Sequence, residues 1–127
     1  MCIEDDPITT MLFKKVVQKA VFAKEIIYAT NGEEAINLIH DFSKQNTLPQ
    51  LIFLDLNMPI MGGWEFLDLF NNSEYFNSNY TKVIILSSTI DPKDIKKSKT
   101  YPNVIDFLWI KSKTCGGVKI KHKYLLV

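Results

Sequence analysis

Leu51-Ile52-Phe53-Leu54-Asp55-Leu56-Asn57-Met58-Pro59-Ile60-Met61-Gly62-Gly63 sets the class of fold. Its four leading apolar residues do not alternate with polar ones, which reads as a strand buried on both faces. Asp55 stands at the mouth of that strand, on a loop stiffened by Pro59 and given freedom by two glycines. Glu4-Asp5-Asp6 ends a shorter apolar segment, Met1-Cys2-Ile3, in the same way. Two strand-end carboxylate sites in one small chain suggest a Mg²⁺ pocket beside a nucleophilic carboxylate.

Outward from this stretch the chain alternates short apolar runs with helical patterns. Asp6 caps a helix with Pro7 in its first turn, and Ile8, Met11, Leu12 and Val16 recur at helical spacing through about Lys19. Residues 25–29 form a short β-prone segment, and Asn31-Gly32 turns the chain into a helix carrying Ala35, Leu38, Ile39 and Phe42 on one face. Trp64, Leu67 and Phe70 mark another helix, ending near Asn71-Asn72, and an asparagine-rich loop runs on to Thr81. Val83-Ile84-Ile85-Leu86 is a second uninterrupted apolar run, closed by Ser87-Ser88-Thr89. Asp91-Pro92 starts a short lysine-rich helix, and Val104 to Ile110 reads as a fifth strand. Repeated βα units with doubly buried strands point to a doubly wound five-stranded parallel sheet with helices on both faces. In such sheets ligands sit beyond the carboxyl ends of the strands, where Asp5, Asp55, Ser87 and Lys111 fall.

The 127 residues suffice for one domain with one core. The net charge is +1 and all fifteen basic residues are lysine, so no arginine fork is present to read bases, and direct nucleic-acid binding is not expected. Cys2 and Cys115 are isolated, and the two histidines, His40 and His122, lack zinc-ligand spacing. Reduced thiols fit a cytoplasmic location. No apolar stretch approaches the ~18–20 residues of a membrane span, and the acidic start is unlike a signal peptide.

The pattern resembles the receiver domain of two-component response regulators, in particular stand-alone receivers of Bacteroidetes-type bacteria. The resemblance rests on Ile3-Glu4-Asp5-Asp6-Pro7, on Asp55-Leu56-Asn57-Met58-Pro59 with Gly63, on Ile84-Ile85-Leu86-Ser87-Ser88, and on Tyr101-Pro102-Asn103-Val104. It covers residues 2 to about 108 and implies a flavodoxin-like receiver domain over 1–110, with an atypical tail over 111–127. It implies that Asp55 accepts a phosphoryl group from a histidine kinase or histidine phosphotransfer protein. Mg²⁺ would be held by Asp5, Asp55 and the backbone carbonyl of Asn57, with Glu4 holding a metal-bound water. Ser87 would bond the phosphoryl group, Lys111 would supply a second positive charge, and Phe107 would follow Ser87 inward as the switch ring. Signalling would run through contact with an output protein of unknown identity, with homodimer pairing also open, and without conventional enzyme activity.

Two departures stand beside the resemblance. The family's lysine follows the aromatic by three residues and precedes a proline; here that position is Ile110, the lysine comes at Lys111, and Ser112 replaces the proline. A one-residue slip turns a strand side chain to the other face unless a bulge absorbs it, and Lys113 is a second candidate. Beyond Lys111 the amphipathic fifth helix does not appear. A divergent C-terminus, a reading-frame artefact and a tail that orders on a partner all remain open; the short first strand would also suit a start a few residues late. The alternatives are a degenerate pseudo-receiver that binds partners without phosphorylation, and a small Mg²⁺ phosphohydrolase. Asp55-Leu56-Asn57 lacks the second acid that a phosphohydrolase wants. Plainer roles are also open: Phe107 as core, Asp6 as a cap, Ser88 and Thr89 as loop hydroxyls, Trp64 as packing, and Lys93, Lys96, Lys97 and Lys99 as a solvated helix face.

Overall fold

The computed structural model describes residues 1–8, 10, 11, 14, 15, 26–74, 80–87 and 91–109. In chain order these hold β1 (Cys2–Ile3), β2 (Tyr28–Ala29), α1 (Gly32–Lys44), β3 (Leu51–Asp55), α2 (Gly63–Asn71), β4 (Lys82–Ser87), α3 (Pro92–Ser98) and β5 (Val104–Trp109). Pro7, Ile8, Thr10, Met11, Lys14 and Lys15 are also helical, and Asp6 caps them by accepting the Ile8 N–H at 3.0 Å. The five strands form one sheet in the order β2-β1-β3-β4-β5, and every pairing is parallel. The order reverses between β1 and β3, so the switch point lies between the ends that carry Asp5 and Asp55.

Strand pleating explains why the apolar runs are continuous. Ile3, Ile52, Leu54, Val83 and Ile85 enter one core layer, with Ala35 and Ile39 of α1 and Phe66, Leu67 and Phe70 of α2. Their chain neighbours Cys2, Phe53, Ile84 and Leu86 enter the other layer, with Leu108. Alternation would have exposed one of these faces to water.

β5 breaks the pattern once. Val104 pairs with Val83 but Asp106 pairs with Ile84, so Ile105 is an extra residue in a bulge. The bulge lets Val104 and Phe107, three apart, pack on the same core layer. It lies before Phe107, so it leaves the spacing from Phe107 to Lys111 unchanged. Lys111, Lys113, Ser88, Thr89 and the 111–127 tail lie outside the described residues.

Side-chain caps begin two further helices, at Asn31, which the sequence offered only as a turn, and at Asp91, as expected. Asn31 accepts the Glu34 N–H at 2.9 Å, while the Glu34 carboxylate takes the Thr30 hydroxyl at 2.6 Å and its N–H at 3.3 Å. This reciprocal arrangement is a capping box, here closed by Thr30 one residue before the cap. Asp91 accepts the Lys93 N–H at 2.9 Å, with Pro92 opening α3.

Candidate metal and phosphoryl site

The last residue of β3 and the residues just after β1 carry the site. Glu4 and Asp55 are buried and Asp5 is half-buried, and one carboxylate oxygen of each lies within 4.8 Å of the others. Glu4 is therefore a member of the cluster itself. Its Oε1 accepts the Asp6 N–H at 3.2 Å, and Asp55 Oδ1 accepts the Asn57 N–H at 3.4 Å. Asp5 Oδ1 is buried and has no hydrogen-bond partner among the described residues.

Converging carboxylates with a buried, unbonded oxygen are costly unless a cation joins them. All the donors are hard oxygens, which suits Mg²⁺ better than a softer ion. The residues present therefore fit the metal that the sequence suggested.

The acids also act on the neighbouring thiol. Burial first, then the negative charges of Glu4 and Asp55, push Cys2 up to about 12. The folded thiol stays protonated where an unfolded one, with its ordinary value of 9.0, ionises, so this contribution to stability is lost as pH rises from 9 toward 12. In a Cys115→Ser background at pH 9, Cys2 is expected to react with iodoacetamide at least ~100-fold more slowly in the folded protein than in urea. Equal rates, followed by mass spectrometry, would contradict the burial.

Ser87 ends β4 and is buried. The ladder pairs Asp55 with Leu86, Phe107 with Ile85 and Trp109 with Ser87. Phe107 therefore shares a sheet face with Ser87, one step back along β5, where it packs against the core layer. Both the packing role and the position next to the hydroxyl residue hold for it. Asn57 is exposed on the loop after Asp55.

The loop from Asp55 to α2 is closely fastened. Gly63 N–H donates to Leu56 O at 3.0 Å, and Met61 N–H to Pro59 O at 2.7 Å. Behind it, Trp64 stacks on Tyr101 with ring centroids 5.6 Å apart and donates to Asp94 Oδ1 at 3.3 Å. Lys97 Nζ lies 4.8 Å from the Trp64 ring centroid. The Tyr101 hydroxyl donates to Asp68 Oδ1 at 2.6 Å; burial and then this bond push it up to about 12. Trp64 thus does more than pack, since its N–H ties α2 to α3. The sequence held no signal for that pairing, whose residues are 30 apart.

An open cavity of about 500 Å³ adjoins the acids, walled by Pro7, Thr10, Met11, Lys14, Tyr28 and Thr30. No described helix is long and apolar enough to cross a membrane.

Comparison with known proteins agrees with this geometry. The family model for the response regulator receiver domain matches residues 1–109. A two-component response regulator from Cytophaga hutchinsonii is similar, with TM-score 0.84 and 28% identity, over 98% of this chain and 88% of that one. A two-component response regulator from Legionella pneumophila is 28% identical with TM-score 0.70, over 85% of this chain and 82% of that one. A response regulator receiver domain from Rhodospirillum rubrum is 25% identical with TM-score 0.72, over 98% and 82%. Among curated protein sequences, none matches the chain. With an acidic cluster at the switch point of a β2-β1-β3-β4-β5 sheet and a family match over residues 1–109, the chain belongs to the response regulator receiver domains of two-component signalling.

Proposed function

We propose that the protein is a phosphorylatable response regulator receiver whose acceptor is Asp55. The observation that carries this reading is the convergence of Glu4, Asp5 and Asp55 within 4.8 Å, with Asp55 buried at the end of β3. An Asp55 oxygen attacks the phosphorus of a phosphohistidine on a histidine kinase or histidine phosphotransfer protein. The O–P bond forms, the N–P bond breaks, and the imidazole leaves with the electron pair and is then protonated. Asp5, Asp55 and the Asn57 carbonyl would hold Mg²⁺, with Glu4 placed to hold a water beside it. The bound ion supplies positive charge that offsets repulsion between the acids and the incoming phosphoryl group.

Ser87 then donates its hydroxyl to a phosphoryl oxygen, Lys111 contributes a second positive charge, and Phe107 follows Ser87 inward. The result is a changed surface for an output protein or a second copy of the chain, with no turnover of a separate substrate. The isolated cysteines support a cytoplasmic setting.

A second reading is the pseudo-receiver that binds partners without phosphorylation. One observation favours it: the bulge at Ile105 precedes Phe107, so it does not restore the family's spacing to the lysine. Incubation with acetyl phosphate and Mg²⁺, read by intact mass, separates the two. A single phosphoryl adduct, lost when EDTA is added beforehand, is expected. Absence of the adduct from folded, Mg²⁺-binding protein would favour the pseudo-receiver.

A further inference from the structure

The acceptor loop is also held from outside, at a residue that sequence reading treats as a turn. Gly32, the first residue of α1, donates its N–H to Met61 O at 3.0 Å. This backbone hydrogen bond joins loop 56–62 to α1, an element other than β3 and α2. The fit is close: a Cβ on Gly32 would lie 2.8 Å from Met61 Cγ, 2.9 Å from Met61 Sδ and 3.0 Å from Met61 O.

The residue before Met61 shows what the contact holds in place. Ile60 has φ 69°, the left-handed region that a β-branched residue rarely occupies, and it is 75% exposed. Little packing covers this residue, so its conformation has to be imposed by its neighbours. Met61 N–H bonds back to Pro59 O on one side of the turn, and Met61 O is held by Gly32 on the other. Gly32 is itself fixed by the capping box of Thr30, Asn31 and Glu34.

We propose that Gly32 is a positioning residue for the phospho-acceptor loop, holding Met61 so that Asn57 and Asp55 present a preformed metal and phosphoryl site. The proposal rests on the acceptor role of Asp55. Gly32 touches neither metal nor phosphoryl group; it acts through Met61. Direct partners of metal ligands typically change metal affinity or activity by about 10–100-fold, and a contact one step further out is expected at the low end of that range.

The test uses Gly32→Ala, Met61→Ala and the double variant. Met61→Ala removes Cγ and Sδ, leaving the Met61 carbonyl, 3.0 Å from the added Cβ, as the remaining close contact. Three readouts are taken on protein shown by urea melts to be folded: hydrogen exchange of amides 57–62 without metal, Mg²⁺ affinity by calorimetry, and the rate of adduct formation with acetyl phosphate. Gly32→Ala is expected to speed exchange and to weaken Mg²⁺ binding about ten-fold, with a similar loss of rate, while the double variant returns close to Met61→Ala alone. Exchange and Mg²⁺ affinity unchanged in Gly32→Ala would overturn the proposal, as would a double variant no better than the single one. If wild type forms no adduct, the phosphorylation reading fails on its own. Exchange and Mg²⁺ affinity still decide the role of Gly32.

Discussion

Asp55→Asn is expected to raise the melting temperature in metal-free buffer while abolishing its dependence on Mg²⁺. Asp55 shares a 4.8 Å neighbourhood with Glu4 and Asp5, and it is 1% exposed. At such separations two ionised carboxylates repel by roughly 3 kcal/mol at an effective dielectric near 20. Asparagine keeps the shape and can still accept the Asn57 N–H through its carbonyl oxygen, so the charge is removed while this contact is kept. Relief of about 1 kcal/mol would raise the melting temperature by about 5 °C. Mg²⁺ at ten times its dissociation constant stabilises wild type by about 1.4 kcal/mol, and this increment is expected to vanish in the variant. Thermal melts with and without Mg²⁺ check both parts. A variant that melts lower than wild type without metal would mean that the acids are compensated from within the protein.

Gly63→Ala is expected to destabilise the fold by about 2–4 kcal/mol, with a drop in adduct formation beyond any loss of folded protein. A Cβ there would lie 2.6 Å from Asp55 O and 2.9 Å from Leu56 Cα. Both are backbone atoms and cannot rotate aside, so the start of α2 has to lift from β3. That stretches the Gly63 N–H bond to Leu56 O and loosens Phe66, Leu67 and Phe70, all fully buried. Gly62 is the internal control, because among the described residues a Cβ there meets only Leu56 O, at 3.3 Å. Gly62→Ala is expected to cost less than about 1 kcal/mol. Urea melts of the two variants check this, and similar losses in both would contradict the packing argument.

That contrast also shows where sequence reading stops. The continuous apolar runs could be read as doubly buried strands because burial on both faces leaves no polar alternation, and Ile52 to Leu54 and Val83 to Leu86 occupy both core layers as a result. Asp5 and Asp55 were legible because strand ends in such sheets converge at the switch point. The neighbouring glycines look alike in the sequence, whereas only the packed structure separates Gly63, pressed against β3, from Gly62. The same holds for Gly32, whose place beside a loop 29 residues away follows from the sheet order and not from its local turn signal. The extra residue at Ile105 was equally hidden, since a bulge adds one residue to a strand without leaving a mark in its composition.

The most direct measurement maps the phosphoryl group. Wild-type protein treated with acetyl phosphate and Mg²⁺ is reduced with borohydride, which converts an aspartyl phosphate to homoserine, and peptides are sequenced by mass spectrometry. The account predicts homoserine at position 55 and nowhere else, and only when Mg²⁺ is present. Unmodified Asp55 in folded protein, or modification at Asp5 in its place, would contradict it.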